Sequence, residues 1–200
     1  GVENYQEFAR EFLKIVRDSP VSFEVFADDL ETMEKQAREI SSWGNNVFVK
    51  IPVTNSTGLS TVPIIKQLTG DGVKVNVTAI MSIGQVEKVC EGLDFETPAY
   101  VSVFAGRIAD SGIDPVPHMV KCLSKLQKHP KASLIWASTR EVFNILQADQ
   151  IGCHIITVTN NLLGKMSDIG KDLEVFSMET VQMFRRDALK NGYTIDTLDK

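Results

Sequence analysis

Tyr5, Phe8, Ala9, Phe12 and Val16 recur at helical spacing until Asp18, Ser19 and Pro20 end the run, which predicts a helix over about 3–17. The next residues alternate. Phe23 and Val25 fall on one face and Glu24 on the other, the pattern of a strand over 21–26. Asp28 and Asp29 open a helix reaching about 43, and Gly44, Asn45 and Asn46 turn the chain into a strand over 47–53. The order then repeats. A helix near 58–68 and a turn at 70–72 lead to a strand over 73–79. Helices near 83–92, 114–128 and 140–149 lead to strands over 99–104, 133–137 and 153–158. Gly152 stands where a left-handed helix cap is needed, and helices near 160–167 and 178–190 finish the chain. Six strands, each feeding a helix with no compositional break, predict a single α/β domain over 1–200.

Polar positions distinguish between two α/β architectures. Central strands of an open doubly wound sheet are covered by helices on both sides and are apolar on both faces. Here one strand face carries Asn46 and Lys50, the next Lys74, Asn76 and Thr78, and the next Ser102. Such convergence suits a (β/α)8 TIM barrel, whose inward residues near the carboxyl ends of the strands build the site. Six strands do not close eight, so two strands are expected ahead of Gly1.

Composition narrows the function classes. At 43% hydrophobic and 24% charged, the chain falls in the ordinary globular range. A net charge of -5 argues against a nucleic-acid partner, because gripping phosphodiesters calls for a basic surplus. The lack of an apolar run of spanning length or a signal segment argues against a membrane partner. Cys90, Cys122 and Cys153 are widely spaced and odd in number, the pattern of reduced thiols in a cytoplasmic protein. His118, His129 and His154 lack metal-ligand spacing, and no Walker loop, GxGxxG or GxSxG motif occurs. No metal and no organic cofactor is expected.

Lys50 is the leading candidate for chemistry. Between Val49 and Ile51 on an apolar strand, burial would favour the neutral amine, the form that attacks carbonyls. A lysine at a strand end can also snorkel to solvent. Glu24, on the preceding strand, can shuttle protons to such a lysine or form a structural ion pair, with Lys74 as a partner. Asn76 and Thr78, two apart on one strand, could orient water or bind substrate hydroxyls. Ser138, Thr139, Arg140 and Glu141 fit a capping box that opens a helix with free N–H groups for an anion. Arg107 could add a second guanidinium to that anion, with plain capping and a surface arginine as the alternative.

The segments Val49-Lys50-Ile51-Pro52-Val53-Thr54, Asn76-Val77-Thr78-Ala79, Gly106-Arg107-Ile108 and Ala137-Ser138-Thr139-Arg140 occur in an order that resembles the transaldolase family, across nearly the whole chain. Within it the chain is most similar to the short transaldolase and fructose-6-phosphate aldolase branch. The resemblance implies an eight-stranded barrel in which Lys50 forms a Schiff base, Glu24 works through a bound water and Thr78 holds that water. It implies substrate contacts at Asn76, Ser102 and Phe104 and a phosphate pocket at Arg107, Ser138 and Arg140. Glu24 and Phe104 stand where the fructose-6-phosphate aldolases usually carry glutamine and tyrosine, which favours transaldolase.

The expected activity is Schiff-base transfer of a dihydroxyacetone unit from a ketose phosphate to an aldose phosphate. The alternatives are an aldolase releasing dihydroxyacetone and a non-catalytic sugar-phosphate-binding relative. Family members begin with a strand bearing a catalytic aspartate and soon reach a Thr-Thr-Asn-Pro segment, and neither occurs in this sequence. The expectation is therefore an amino-terminally incomplete barrel, inactive as these 200 residues alone. Ring assembly through a carboxyl-terminal helix, as in the family, predicts a homo-oligomer, with Phe176, Met178, Val181, Met183 and Phe184 as candidates for that contact or for capping the barrel.

Overall fold

The computed structural model describes residues 4–195. They form two compact units, one ending at Thr159 and one beginning at Asn160.

The first unit repeats strand and helix as the periodicity predicts. Helix α1 (Tyr5–Ile15) starts at Asn4, whose side chain accepts from Glu7 N, and leads to β1 (Val21–Glu24). Helix α2 (Leu30–Ser41) is capped by Asp29 accepting from Thr32 N at 2.8 Å, and β2 (Val47–Pro52) follows. Helix α3 (Val62–Gly70) begins later than the predicted 58. Asn55 Oδ1 accepts from the amides of Thr57 and Leu59 and folds 55–59 into a turn instead, while Pro63 suits the first helical turn. Strand β3 (Val75–Ile80) leads to α4 (Ile83–Gly92), which opens on a full Ser82–Gln85 capping box.

Strand β4 (Ala99–Val103) runs directly into a short helix, α5 (Ala105–Asp110), which the pattern did not predict. Helix α6 (Pro115–Leu126), β5 (Ala132–Trp136), α7 (Phe143–Gln150) and β6 (Ile155–Ile156) complete the unit. Strand β6 is far shorter than the predicted 153–158, since it pairs with β5 alone among the described residues. Gly152 adopts φ +70°, the left-handed cap expected of it.

All six strands are parallel, in the order β1-β2-β3-β4-β5-β6. Flat strands spaced about 4.8 Å apart would hold the two edges more than about 20 Å from each other. Yet Ser22 of β1 and Ile155 of β6 line one groove, so the sheet is curled. Its convex side packs Val49, Ile51, Val75, Val77, Val101, Val103, Leu134 and Trp136 against helix residues such as Met33, Ile65, Leu68, Val86 and Met119. Each such burial contributes about 1.5–3 kcal/mol. The concave side carries Lys50, Asn76, Thr78 and Ser102 among apolar residues such as Phe104, Ile135 and Ile155.

The second unit holds α8 (Asn160–Leu163), a 3-10 turn (Met166–Asp168) and α9 (Leu173–Lys190), capped by Asp172. Helix α9 starts five residues before the predicted 178, at that cap. Along it Phe176, Met178, Val181, Met183 and Phe184 are exposed. No described helix is long and apolar enough to cross a membrane.

Candidate active site

Strand alternation sends every second side chain to the concave face. Parallel register sets Glu24, Lys50 and Asn76 side by side on β1, β2 and β3. Lys50 Nζ donates to Glu24 Oε2 at 3.1 Å, with the lysine side chain 33% and the glutamate 43% exposed. The sealed apolar surroundings expected for Lys50 are therefore not what the fold provides: Val49 and Ile51 face the helices, while the lysine side chain reaches the open groove. An ion pair this open adds about 0–1 kcal/mol to stability, too little to explain two charges on this sheet.

Lys50 lines a groove of about 730 Å3 with Asn76, Thr78, Ser102, Phe104 and Ser138. Asn76 Nδ2 donates to Ser22 Oγ at 2.9 Å, and Ser102 Oγ donates to Asn76 Oδ1 at 2.7 Å. Thr78 is 2% exposed, and its Oγ1 has no hydrogen-bond partner among the described residues. A buried hydroxyl normally finds a partner. Just after Thr78, Ala79 takes φ +59° where β3 slips register against β4. Such an extra residue re-aims neighbouring side chains, and the left-handed backbone is strained for a residue with a Cβ.

Tyr100 stacks on Phe48, ring centroids 4.1 Å apart, and burial pushes its phenol above the usual value. The hydroxyl is thus protonated near neutrality and able to donate. At the other end of β4, the Arg107 guanidinium lies 5.4 Å from the Phe104 ring centre. Arg140 grips Asp110 with two nitrogens, Nε at 3.0 Å from both carboxylate oxygens, which holds the Asp110 carboxyl below its ordinary value. Among the described residues no group of three or more His, Cys, Asp or Glu side chains is placed to hold a metal ion.

Three expectations need correction. The capping box at 138–141 does not form: α7 begins at Phe143, and Asn144 Oδ1 takes the amides of Arg140 (2.9 Å) and Glu141 (3.2 Å). Those N–H groups are committed within the protein. Asn46 turns away from the groove and donates to Val16 O and Ser19 O. Lys74 reaches Asn45 O rather than Glu24. Both lie at the amino-terminal ends of the strands and tie loops there.

Residues 5–198 match the family model described as Transaldolase/Fructose-6-phosphate aldolase. The chain belongs to this family. It is 34% identical over 187 residues to "Probable transaldolase 2" of Listeria monocytogenes serovar 1/2a, covering 88% of this chain and 81% of that one. It is 33% identical over 189 residues to "Probable transaldolase" of Clostridium acetobutylicum, covering 92% and 83%. "Probable transaldolase" of Dehalococcoides mccartyi is 34% identical over 167 residues, 83% of this chain and 74% of that one. The family and these names make the chain an aldolase-type enzyme.

For a member of the transaldolase and aldolase family, the predicted positions divide in two. Lys50, Asn76, Thr78, Ser102, Phe104 and Ser138 meet around the groove, with Glu24 bonded to Lys50. Arg107 and Arg140 are exposed and engaged with Phe104 and Asp110 instead. Sequence reading missed Ser22 and Tyr100. Each lies two residues before a chosen position, Glu24 and Ser102, so the same alternation would have found them.

Proposed function

We propose that the protein is a transaldolase, moving a dihydroxyacetone unit from a ketose phosphate to an aldose phosphate through a Schiff base on Lys50. The carrying observation is the Lys50–Glu24 pair at 3.1 Å on the wall of the groove, beside the unpartnered hydroxyl of Thr78. The lysine amine attacks the C2 carbonyl of the donor, and Glu24 moves protons through a water held by Thr78 as the carbinolamine loses hydroxide as water. The C3–C4 bond then breaks with its electron pair drawn into the iminium, giving an enamine while the C4 hydroxyl loses its proton and leaves as an aldehyde. Enamine C3 attacks the acceptor aldehyde, and hydrolysis frees Lys50.

Asn76 and Ser102 bind hydroxyls of the three-carbon unit and Phe104 walls it. Ser138, Arg107 and Arg140 take the phosphate, which competes with Asp110 for the Arg140 guanidinium. The six strands are read as part of a (β/α)8 barrel in one transaldolase-type domain, with β1 and β6 as the edges to which further strands add. Glu24 and Phe104 support transfer over simple cleavage.

The test is turnover by the full-length protein, with any residues encoded ahead of Gly1 included. Fructose 6-phosphate is supplied with and without erythrose 4-phosphate, and glyceraldehyde 3-phosphate and free dihydroxyacetone are quantified. Sustained glyceraldehyde 3-phosphate only with the acceptor, lost on the order of 10³-fold in Lys50→Met, is expected. Release of dihydroxyacetone without acceptor would make it an aldolase, and binding without turnover would remove the catalytic reading.

A further inference from the structure

Ser22 stands on β1, Asn76 on β3, and the 2.9 Å bond between them spans the intervening β2. Register fixes where it crosses. Ser22 is level with Phe48 and Asn76 with Lys50, so the bridge runs diagonally over β2 between those two positions, at the foot of the Lys50 side chain. Only a curled sheet brings second-neighbour strands this close on one face.

A side-chain amide has two N–H donors and an oxygen with two lone pairs. Asn76 commits one N–H to Ser22 and one lone pair to Ser102, which leaves one of each for a ligand. Ser102 alone would hold the amide from one side and leave it free to swing about that bond. Ser22 supplies the second anchor, on the opposite side. Asn76 and Ser102 are 6% and 4% exposed, whereas Ser22 is exposed on the edge strand. Its hydroxyl is therefore not needed to satisfy a buried core.

We infer that Ser22 is a positioning residue: through Asn76 it sets the amide that holds the three-carbon unit over Lys50. The inference rests on the Schiff-base reading of the groove. Asn76 is the group that touches substrate; Ser22 acts on its aim. Near-attack geometry is sensitive to such placement, and one neutral hydrogen bond corresponds to about a fivefold to tenfold effect.

The test uses Ser22→Ala and Ser22→Thr in the full-length protein. Expected for Ser22→Ala is a kcat lower by about fivefold to tenfold with KM nearly unchanged, while borohydride still traps the donor on Lys50. Ser22→Thr, which keeps the hydroxyl, returns kcat to within about twofold of the parent. On an Asn76→Ala background Ser22→Ala has no further effect, because the two belong to one unit. Equal kcat in parent and Ser22→Ala, or full additivity with Asn76→Ala, overturns the inference. A second readout does not need turnover: the Asn76 side-chain amide protons in an NMR spectrum shift in Ser22→Ala. An unmoved signal shows that the bridge is absent, whereas a moved signal in a protein without a Lys50 adduct refutes the Schiff-base reading and leaves the bridge standing.

Discussion

Gly106 shows how one residue is fixed by its surroundings. A Cβ built there would lie 1.6 Å from the Ser138 carbonyl oxygen, so the β4–α5 junction and the segment after β5 approach at a distance that only glycine permits. Gly106→Ala is expected to cost about 1–3 kcal/mol in urea unfolding and to displace Ser138, which itself sits at φ +65° on the groove. An unchanged midpoint with unchanged activity would show that the segment yields freely. The Gly-Arg-Ile motif was visible in the sequence, but its reason was not, because the contact joins two distant loops. Alternation put Lys50 and Glu24 on adjacent strands, but each kept a structural alternative, snorkelling or an ion pair, until the family resemblance was added. The capping box at Ser138 misled because Asn144, three positions after Glu141, outcompetes it for the local amides.

Strands and helices followed the apolar spacing closely wherever a whole face is buried, as in α6, where Met119, Cys122 and Leu126 form a core stripe. Boundaries slipped where polar side chains intervene, at Asn55 before α3 and at Asn144 in the first turn of α7. The stripe has a chemical consequence. Burial pushes the Cys122 thiol up to about 12, so iodoacetamide at pH 8 should leave it unmodified in the folded protein and modify it in urea. A thiol pKa raised from an unfolded value of about 8.5 gives stability that is fully present below that pH. The unfolded chain binds fewer protons from there upward, so stability falls as pH rises toward about 12. Thermal unfolding between pH 8.5 and 10.5 should show a shallower alkaline loss in Cys122→Ala than in the parent; parallel curves would mean that Cys122 ionises alike in both states.

At the scale of the molecule, six parallel strands and their curl were readable because Lys50, Asn76, Thr78 and Ser102 fall on one side of three strands whose other side is apolar. The expected closure into eight strands would pair β1 and β6 with strands outside the described residues. The groove depends on the curl, which brings polar side chains of β1, β3 and β4 around Lys50. Reductive trapping on that lysine asks the most direct question. The full-length protein is treated with fructose 6-phosphate and borohydride, digested, and its peptides weighed. The expected result is a reduced three-carbon adduct on Lys50, dependent on donor and absent in Lys50→Met. No adduct, or an adduct on another lysine, would contradict Schiff-base catalysis at this site.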